Sequence, residues 1–283
     1  MSQLQKRLMI IIACLLAIVL AFDASLFYSV KVAPNRLKVD YQTLKNNKIP
    51  LTMDDVSIVY FTDLQYGAFE NKDRTQKVFE QINELSPDIL IFGGDLFDSD
   101  TKLTNANKEL LTKYLASIDA PLGKFAVWGE KDLQDEQRRN AILNIYKEAQ
   151  VEVLDNHSVL VYNQGVNHIR IIGLSMDANV KEAANGASDK EFNLLIAHQP
   201  DTLTNEELAQ TSISYALAGH AHDTQVNFPI LGPYKTIEGA KKLNRSLSKD
   251  LSFEYELSAG TGCTNIDMRY NAVPEIHYFL LKH

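Results

Sequence analysis

Five apolar runs between residues 57 and 218 each stop at a polar loop. Ser57–Thr62 (SIVYFT) gives way to Asp63-Leu64-Gln65, and Asp88–Phe92 (DILIF) to Gly93-Gly94-Asp95-Leu96-Phe97-Asp98. Lys124–Trp128 (KFAVW) leads into Gly129-Glu130-Lys131-Asp132, the stretch NLLIA into His198-Gln199-Pro200-Asp201, and Ile213–Ala218 (ISYALA) into Gly219-His220-Ala221-His222. Short apolar runs bounded by such signals read as buried strands. Helical spacing fills the gaps between the early ones, over Arg74–Leu85, Asn105–Ile118 and Glu136–Ala149. In open α/β sheets ligands gather at the carboxyl ends of the strands, where these loops emerge.

Further on the period shortens to two, and Ser158–Tyr162, His168–Leu174, Phe192–Ala197, Glu254–Ala259 and Glu275–Leu280 read as strands, as does Arg36–Thr43 before them. Helix-linked strands followed by strand-rich segments predict an α/β fold, two sheets faced by helices. The 283 residues, 45% of them apolar, suffice for a large core, and neither an internal repeat nor a long linker divides residues 55–283.

The amino terminus departs from this pattern. Leu8–Phe22 is unbroken apolar sequence that resumes after Asp23 through Ala24–Val30. As one helix, Leu8–Val30 would run about 34 Å, enough to cross a bilayer with some tilt. Asp23 falls near interfacial depth, where a carboxylate is cheaper, and Phe27 and Tyr28 suit an aromatic belt. A cleaved signal peptide fits less well, because Ala21-Phe22-Asp23-Ala24 lacks the spacing of a cleavage site. The chain is therefore expected to comprise a tail (1–7), a transmembrane anchor (8–30), a juxtamembrane segment with the first strand (31–54) and a globular domain (55–283). A single-pass cell-membrane protein is expected, with the globular domain outside the cytoplasmic membrane, since a short basic tail (Lys6, Arg7) directly precedes the apolar run. The 28 basic and 36 acidic residues leave a net charge of −8, which argues against nucleic-acid binding. Two cysteines, Cys14 and Cys263, make neither a disulfide framework nor a zinc site.

His157, His168, His277 and His283 need no role beyond ordinary hydrogen bonding, and the basic cluster Lys241-Lys242, Arg245, Lys249 reads as a solvated loop. The strand-end residues are different, because carboxylates and imidazoles meeting at one sheet edge are the ligand mixture of Mn, Fe or Zn.

With these residues in order, the chain resembles the calcineurin-like metallophosphoesterases, in the bacterial branch with an N-terminal membrane segment. The family's motifs run Asp-x-His, Gly-Asp-x-x-Asp, Gly-Asn-His-Asp/Glu, a lone His, then Gly-His-x-His. The closing Ser258-Ala259-Gly260-Thr261-Gly262, Arg269-Tyr270 and Pro274-Glu275-Ile276 look like that branch's C-terminal signature. The resemblance implies a four-layer α-β-β-α sandwich and a centre of one or two divalent ions that activates water against a phosphomonoester or phosphodiester. The substrate implied is a phosphate ester, lipid- or nucleotide-linked among the options. Asp63, Asp95 and His222 match ligands of the first ion, with Gln65 at the position of its remaining histidine. Asp95, Glu130, His198 and His220 match those of the second. Asp98 matches a loop brace, and Lys131 takes the place of the catalytic histidine that meets substrate and leaving group.

Three of these positions depart from the pattern. Gln65 replaces an imidazole with an amide oxygen, a weaker ligand for transition metals. Glu130 replaces an asparagine and adds charge. Lys131 replaces a histidine with an ammonium, and a dication 4 Å from a unit positive charge is repelled by about 8 kcal/mol at an effective dielectric near 20. Asp223-Thr224 also stand where glycines usually follow Gly-His-x-His. Two readings follow: a phosphoesterase with a variant metal centre, or a catalytically impaired relative that serves as a binding or scaffolding module at the cell envelope.

Overall fold

The structure, a computed structural model, describes residues 2–228 and 231–283. In chain order the strands are β1 (Lys38–Lys45), β2 (Ser57–Phe61), β3 (Ile89–Phe92), β4 (Lys124–Ala126), β5 (Glu152–Val153), β6 (His157–Tyr162) and β7 (His168–Gly173). There follow β8 (Asn193–Ala197), β9 (Tyr215–Ala218), the pair β10 (Asn227–Phe228) and β11 (Gly232–Pro233), β12 (Glu254–Leu257) and β13 (Glu275–Lys282). The helices are α1 (Gln3–Phe27), α2 (Lys72–Leu85), α3 (Asn105–Ser117), α4 (Glu136–Glu148) and the one-turn α5 (Val180–Ala183).

Six strands form one sheet in the order β1-β13-β2-β3-β4-β5, and five form another in the order β12-β9-β8-β7-β6. The run β2-β3-β4-β5 is parallel, as helix-linked strands must be, while β13 enters antiparallel to β2. Every residue of β2, β3, β8 and β9 is buried, which explains their unalternating apolar sequence: each is covered on both faces. The shared core between the sheets takes Ile58, Tyr60, Ile89 and Ile91 from one side and Ile171, Leu194, Ile196 and Leu217 from the other. On the outer face of the larger sheet, Val59, Phe61, Leu90 and Phe92 meet Val78, Ile82, Leu111, Leu115, Ile142 and Ile145 of α2, α3 and α4. The outer layer of the smaller sheet is thinner, made of α5 and short turns whose Leu203 and Leu208 cover Leu195 and Ala216. This is the expected α-β-β-α sandwich.

Several strands stop earlier than their apolar runs predict. β4 ends at Ala126, two residues short of Trp128, and β12 at Leu257. In the other direction β1 reaches Lys45 and pairs along its whole length with β13, Lys38 opposite Glu275 and Lys45 opposite Lys282. α1 has no buried residue, is long and apolar enough to cross a bilayer, and continues through the wider turn Tyr28–Val32 to meet the domain.

Arg245, expected in a solvated basic loop, turns inward instead. Its guanidinium donates to Glu275 at the start of β13 and to the Leu257 carbonyl at the end of β12, tying the two sheets together beside the site. Glu275 also accepts from Ala259 N–H (2.8 Å) and faces His277 Nε2 (3.1 Å). Burial alone would raise its pKa, but the bond with His277 and the Arg245 charge pull it down to about 2, from the usual 4.5. A carboxylate depressed on folding stabilises the fold above its unfolded pKa, and that contribution is lost as pH falls toward the folded value. Glu275 is therefore expected to account for about 3 kcal/mol of stability lost between pH 4.5 and 2. Urea unfolding across that range should show a shallower acid limb in Glu275→Gln; an unchanged limb would rule this out.

Candidate metal centre

The loops after β2, β3, β4, β8 and β9 converge on one edge of the sandwich and bring together Asp63, Gln65, Asp95, Asp98, Glu130, Lys131, His198, His220 and His222. The backbone takes unfavourable shapes to do so: Asp63 (φ 54°), Gln65 (49°), Asp95 (62°), His220 (60°) and His222 (49°) all lie in the left-handed region. Each such non-glycine residue costs about 1 kcal/mol or more, and strain of this kind collects at functional sites. Asp223 and Thr224 (φ 48° and 57°), where glycines were expected, share it.

Asp132 holds the geometry. Its buried carboxylate accepts from the backbone N–H of Asp95 (2.8 Å), Leu96 (2.9 Å) and Gly129 (3.0 Å), clamping the β3 loop to the β4 loop. Glycine is required at 129, because a Cβ there would lie 2.1 Å from Asp95 Oδ1.

One half of the site is a quartet. Single ligand atoms of Asp95, Glu130, His198 and His220 all lie within 4.8 Å of one another. Glu130 Oε2 is 2.8 Å from His198 Nε2 and 3.0 Å from His220 Nδ1, and Asp95 Oδ1 is 3.7 Å from His198 Nε2. The outward nitrogens are fixed by carbonyls: His198 Nδ1 donates to Gly93 O and His220 Nε2 to Glu238 O, both at 2.6 Å. A neutral imidazole that donates outward has its lone pair inward, so both rings present a ligand atom to one point between the carboxylates. Two imidazoles and two carboxylates so oriented fit a divalent transition ion.

The electrostatics agree with that chemistry. Burial raises the Asp95 pKa to about 7, with further push from Glu130, Asp132 and Asp63 and opposition from His198. Burial would lower His198 and His220, yet the carboxylates around them raise both, while their bonds to Glu130 outweigh its burial and hold its carboxyl far below the usual range. The four residues share a surplus of negative charge that protons or a cation must balance.

The other half is built differently. Asp63 Oδ2 accepts from Thr62 Oγ1 (2.7 Å) and His220 N–H (2.8 Å), while its buried Oδ1 accepts no hydrogen bond, though His222 Nε2 lies 3.4 Å away. Gln65 offers Nε2–H to Asp95 Oδ2 (2.9 Å), and its Oε1, the atom expected to face an ion, accepts from Lys131 Nζ at 2.6 Å. The ammonium completes its three bonds with Thr264 Oγ1 (2.9 Å) and Asp98 Oδ1 (3.2 Å). Lys131, expected to reach a substrate, is thus fully engaged with protein, and its carboxylate partner is Asp98, the expected loop brace. His222 Nδ1 faces Arg269 Nη2 (3.4 Å), a group that only donates, so the imidazole carries its proton on Nε2. Burial, the Arg269 guanidinium and Lys131 lower the His222 pKa to about 3 despite Asp63.

Asp132, Thr264 and Arg269 escaped the sequence reading as site residues, although Asp132 closes the third motif and Arg269 lies in the closing signature. Next to Lys131, Asp98 and Thr264 also line an open cleft of about 880 Å³, with Phe69, Lys72 and Lys102 on its wall. His157, His168, His277 and His283 bond elsewhere in the fold, to Glu152, Glu191, Glu275 and the Ile49 carbonyl.

Comparison with known proteins gives the family. Residues 56–224 match the calcineurin-like phosphoesterase family. The metallophosphoesterase YkuE of Bacillus subtilis is 24% identical over 267 residues, 90% of this chain and 89% of that protein. A transmembrane protein with a metallophosphoesterase domain from Danio rerio is 25% identical over 198 residues, 65% of this chain and 44% of that protein. LpxG of Chlamydia muridarum, a UDP-2,3-diacylglucosamine pyrophosphatase, is 24% identical over 261 residues, 76% of this chain and 78% of that protein. With the family match spanning more than half the sequence, from the strand before Asp63 to the loop after His222, this chain belongs to the calcineurin-like phosphoesterases.

Proposed function

We propose that the protein is a membrane-anchored phosphoesterase that hydrolyses a phosphate ester presented at the bilayer surface, with Asp95, Glu130, His198 and His220 holding a divalent ion. The inward lone pairs of His198 and His220, each fixed by a backbone carbonyl, carry this reading. Mn, Fe or Zn held there would polarise a phosphoryl oxygen and acidify water. The chain's own residues orient and exclude: Asp132 keeps Asp95 and Glu130 in register, and Lys131 lends positive charge beside the cleft, where a phosphate would enter.

A lipid-linked substrate is supported by how α1 joins the domain. Ser29 O accepts from Arg269 N–H (2.9 Å) and Ser25 Oγ lies 3.2 Å from Tyr270 Oη, so the proposed anchor meets the residue whose guanidinium backs His222. The centre would then sit near the membrane surface. Tyr234 (77% exposed) and Ile266 (49%) lie on the loops beside His222, suited to interfacial depth. The acylated sugar nucleotide named for LpxG is a substrate of that kind. We place the domain outside the cytoplasmic membrane, as the basic tail before α1 favours.

Full-length protein in detergent, loaded with Mn, Fe or Zn, is expected to hydrolyse bis-p-nitrophenyl phosphate, and to release phosphate from vesicles containing phosphatidic acid faster than from a soluble short-chain analogue. No turnover with any of the three metals would sink the enzymatic reading. The second reading, a non-hydrolysing binding module, draws on the three bonds that occupy Lys131 and would then stand.

A further inference from the structure

The two halves of the site differ in what they offer a cation. The quartet supplies four ligand atoms, whereas the half around Asp63 supplies Asp63 Oδ1 and little else. Asp95 Oδ2 accepts from Gln65 Nε2–H. The Gln65 oxygen is taken by Lys131, and an amide held between an ammonium and a carboxylate has only one favourable orientation. His222 has its proton on the nitrogen nearest Asp63. Sites for transition ions use at least three protein ligands, and among the described residues no cluster of three imidazole, thiol or carboxylate ligand atoms forms around Asp63.

We propose that the centre takes one divalent ion, in the Asp95–Glu130–His198–His220 quartet, and that the Lys131 ammonium, relayed through the Gln65 amide to Asp95, replaces the second ion. The inference rests on the phosphoesterase reading above. Charge supports it. The Lys131 ammonium already holds this half of the site, 2.6 Å from Gln65 Oε1 and 3.2 Å from Asp98 Oδ1. A second ion there would be repelled by that ammonium at close range. Chemically, Lys131 and Gln65 become positioning residues: they hold Asp95 and keep positive charge at the mouth of the cleft without a second metal.

Metal content decides the matter independently of turnover. Full-length protein saturated with Mn(II) and desalted is expected to carry one Mn per chain, with the electron paramagnetic resonance spectrum of an isolated ion. Two per chain, or an exchange-coupled pair, would overturn the inference and leave the phosphoesterase reading intact. No bound Mn, Fe or Zn would overturn that reading, and the inference with it. The double variant Gln65→His, Lys131→His is expected to bind a second Mn and show coupling; if it keeps its first ion and gains none, these side chains are not what excludes the second. Lys131→Met, which frees the Gln65 oxygen with less rebuilding, is expected to raise weak second-site binding at least about 10-fold, and no rise there counts equally against the proposal.

Discussion

His198→Ala is expected to lose bound metal, with an affinity drop of more than about 100-fold and hydrolysis falling with it. Removing even an outer partner of a metal ligand costs about 10–100-fold. Here the ligand itself goes, and nothing nearby can replace it. His198 is 2% exposed, its Nδ1 is fixed to the Gly93 carbonyl, and a Cβ on Gly94 would already lie 2.9 Å from that nitrogen. The truncated side chain would leave Glu130 with a single imidazole partner, His220, and Asp95 buried with less opposing charge. His157→Ala is the control, because that ring is half exposed, pairs with Glu152 and lies outside the quartet. Elemental analysis and isothermal titration with Mn(II), on both variants as full-length protein, provide the measurement. Unchanged metal affinity in His198→Ala would remove the quartet from the account.

Local physics explains which parts of this arrangement were legible from the sequence. An apolar run ending in Asp or His is a local signal, so β2, β3, β8 and β9 and the residues that follow them could be placed from spacing alone. Pairings between distant segments are not local. Nothing in Lys38–Lys45 indicates that its parallel partner is Glu275–Lys282, nor that β5, a two-residue strand, closes the other edge. The same limit applies within the site. The expectation that Lys131 would repel a nearby dication treated it as a charge among charges. Its stem instead carries the ammonium to Asp98 and Thr264, the latter 133 residues away, and the amide of Gln65 lies between it and Asp95. A motif position predicts where a Cα sits, while the direction of a long flexible side chain depends on acceptors supplied by other loops. Arg245 is the same case: a basic cluster in the sequence, but an ion pair with buried Glu275 once two sheets meet.

Arg269→Ala is expected to be the most destabilising single change in the domain, by at least about 4 kcal/mol. Its side chain is 0% exposed and lies among carbonyls that have few other donors. Nη1 donates to Ala259 O (2.8 Å) and Ala272 O (3.0 Å), and Nη2 donates to Gly262 O and to Gly260 O (3.3 Å). These carbonyls belong to the turn after β12 and the approach to β13, the segment that packs its backbone against Thr62 and Asp63. Truncation leaves several buried acceptors unpaired, each costing about 1–3 kcal/mol, and opens a cavity where one of the largest buried side chains stood. Lysine is not an adequate substitute, because one ammonium cannot span acceptors arranged on both arms of a planar fork. His222 would also lose the donor that fixes its tautomer, and the backbone of residue 269 is the one that meets Ser29 below the helix. Urea unfolding of Arg269→Ala and Arg269→Lys in detergent, beside the unaltered protein, should therefore give a midpoint far lower for alanine and intermediate for lysine. A shift within about 1 kcal/mol for alanine would mean that water takes over the guanidinium's role, and that the closing signature is held by β13 alone.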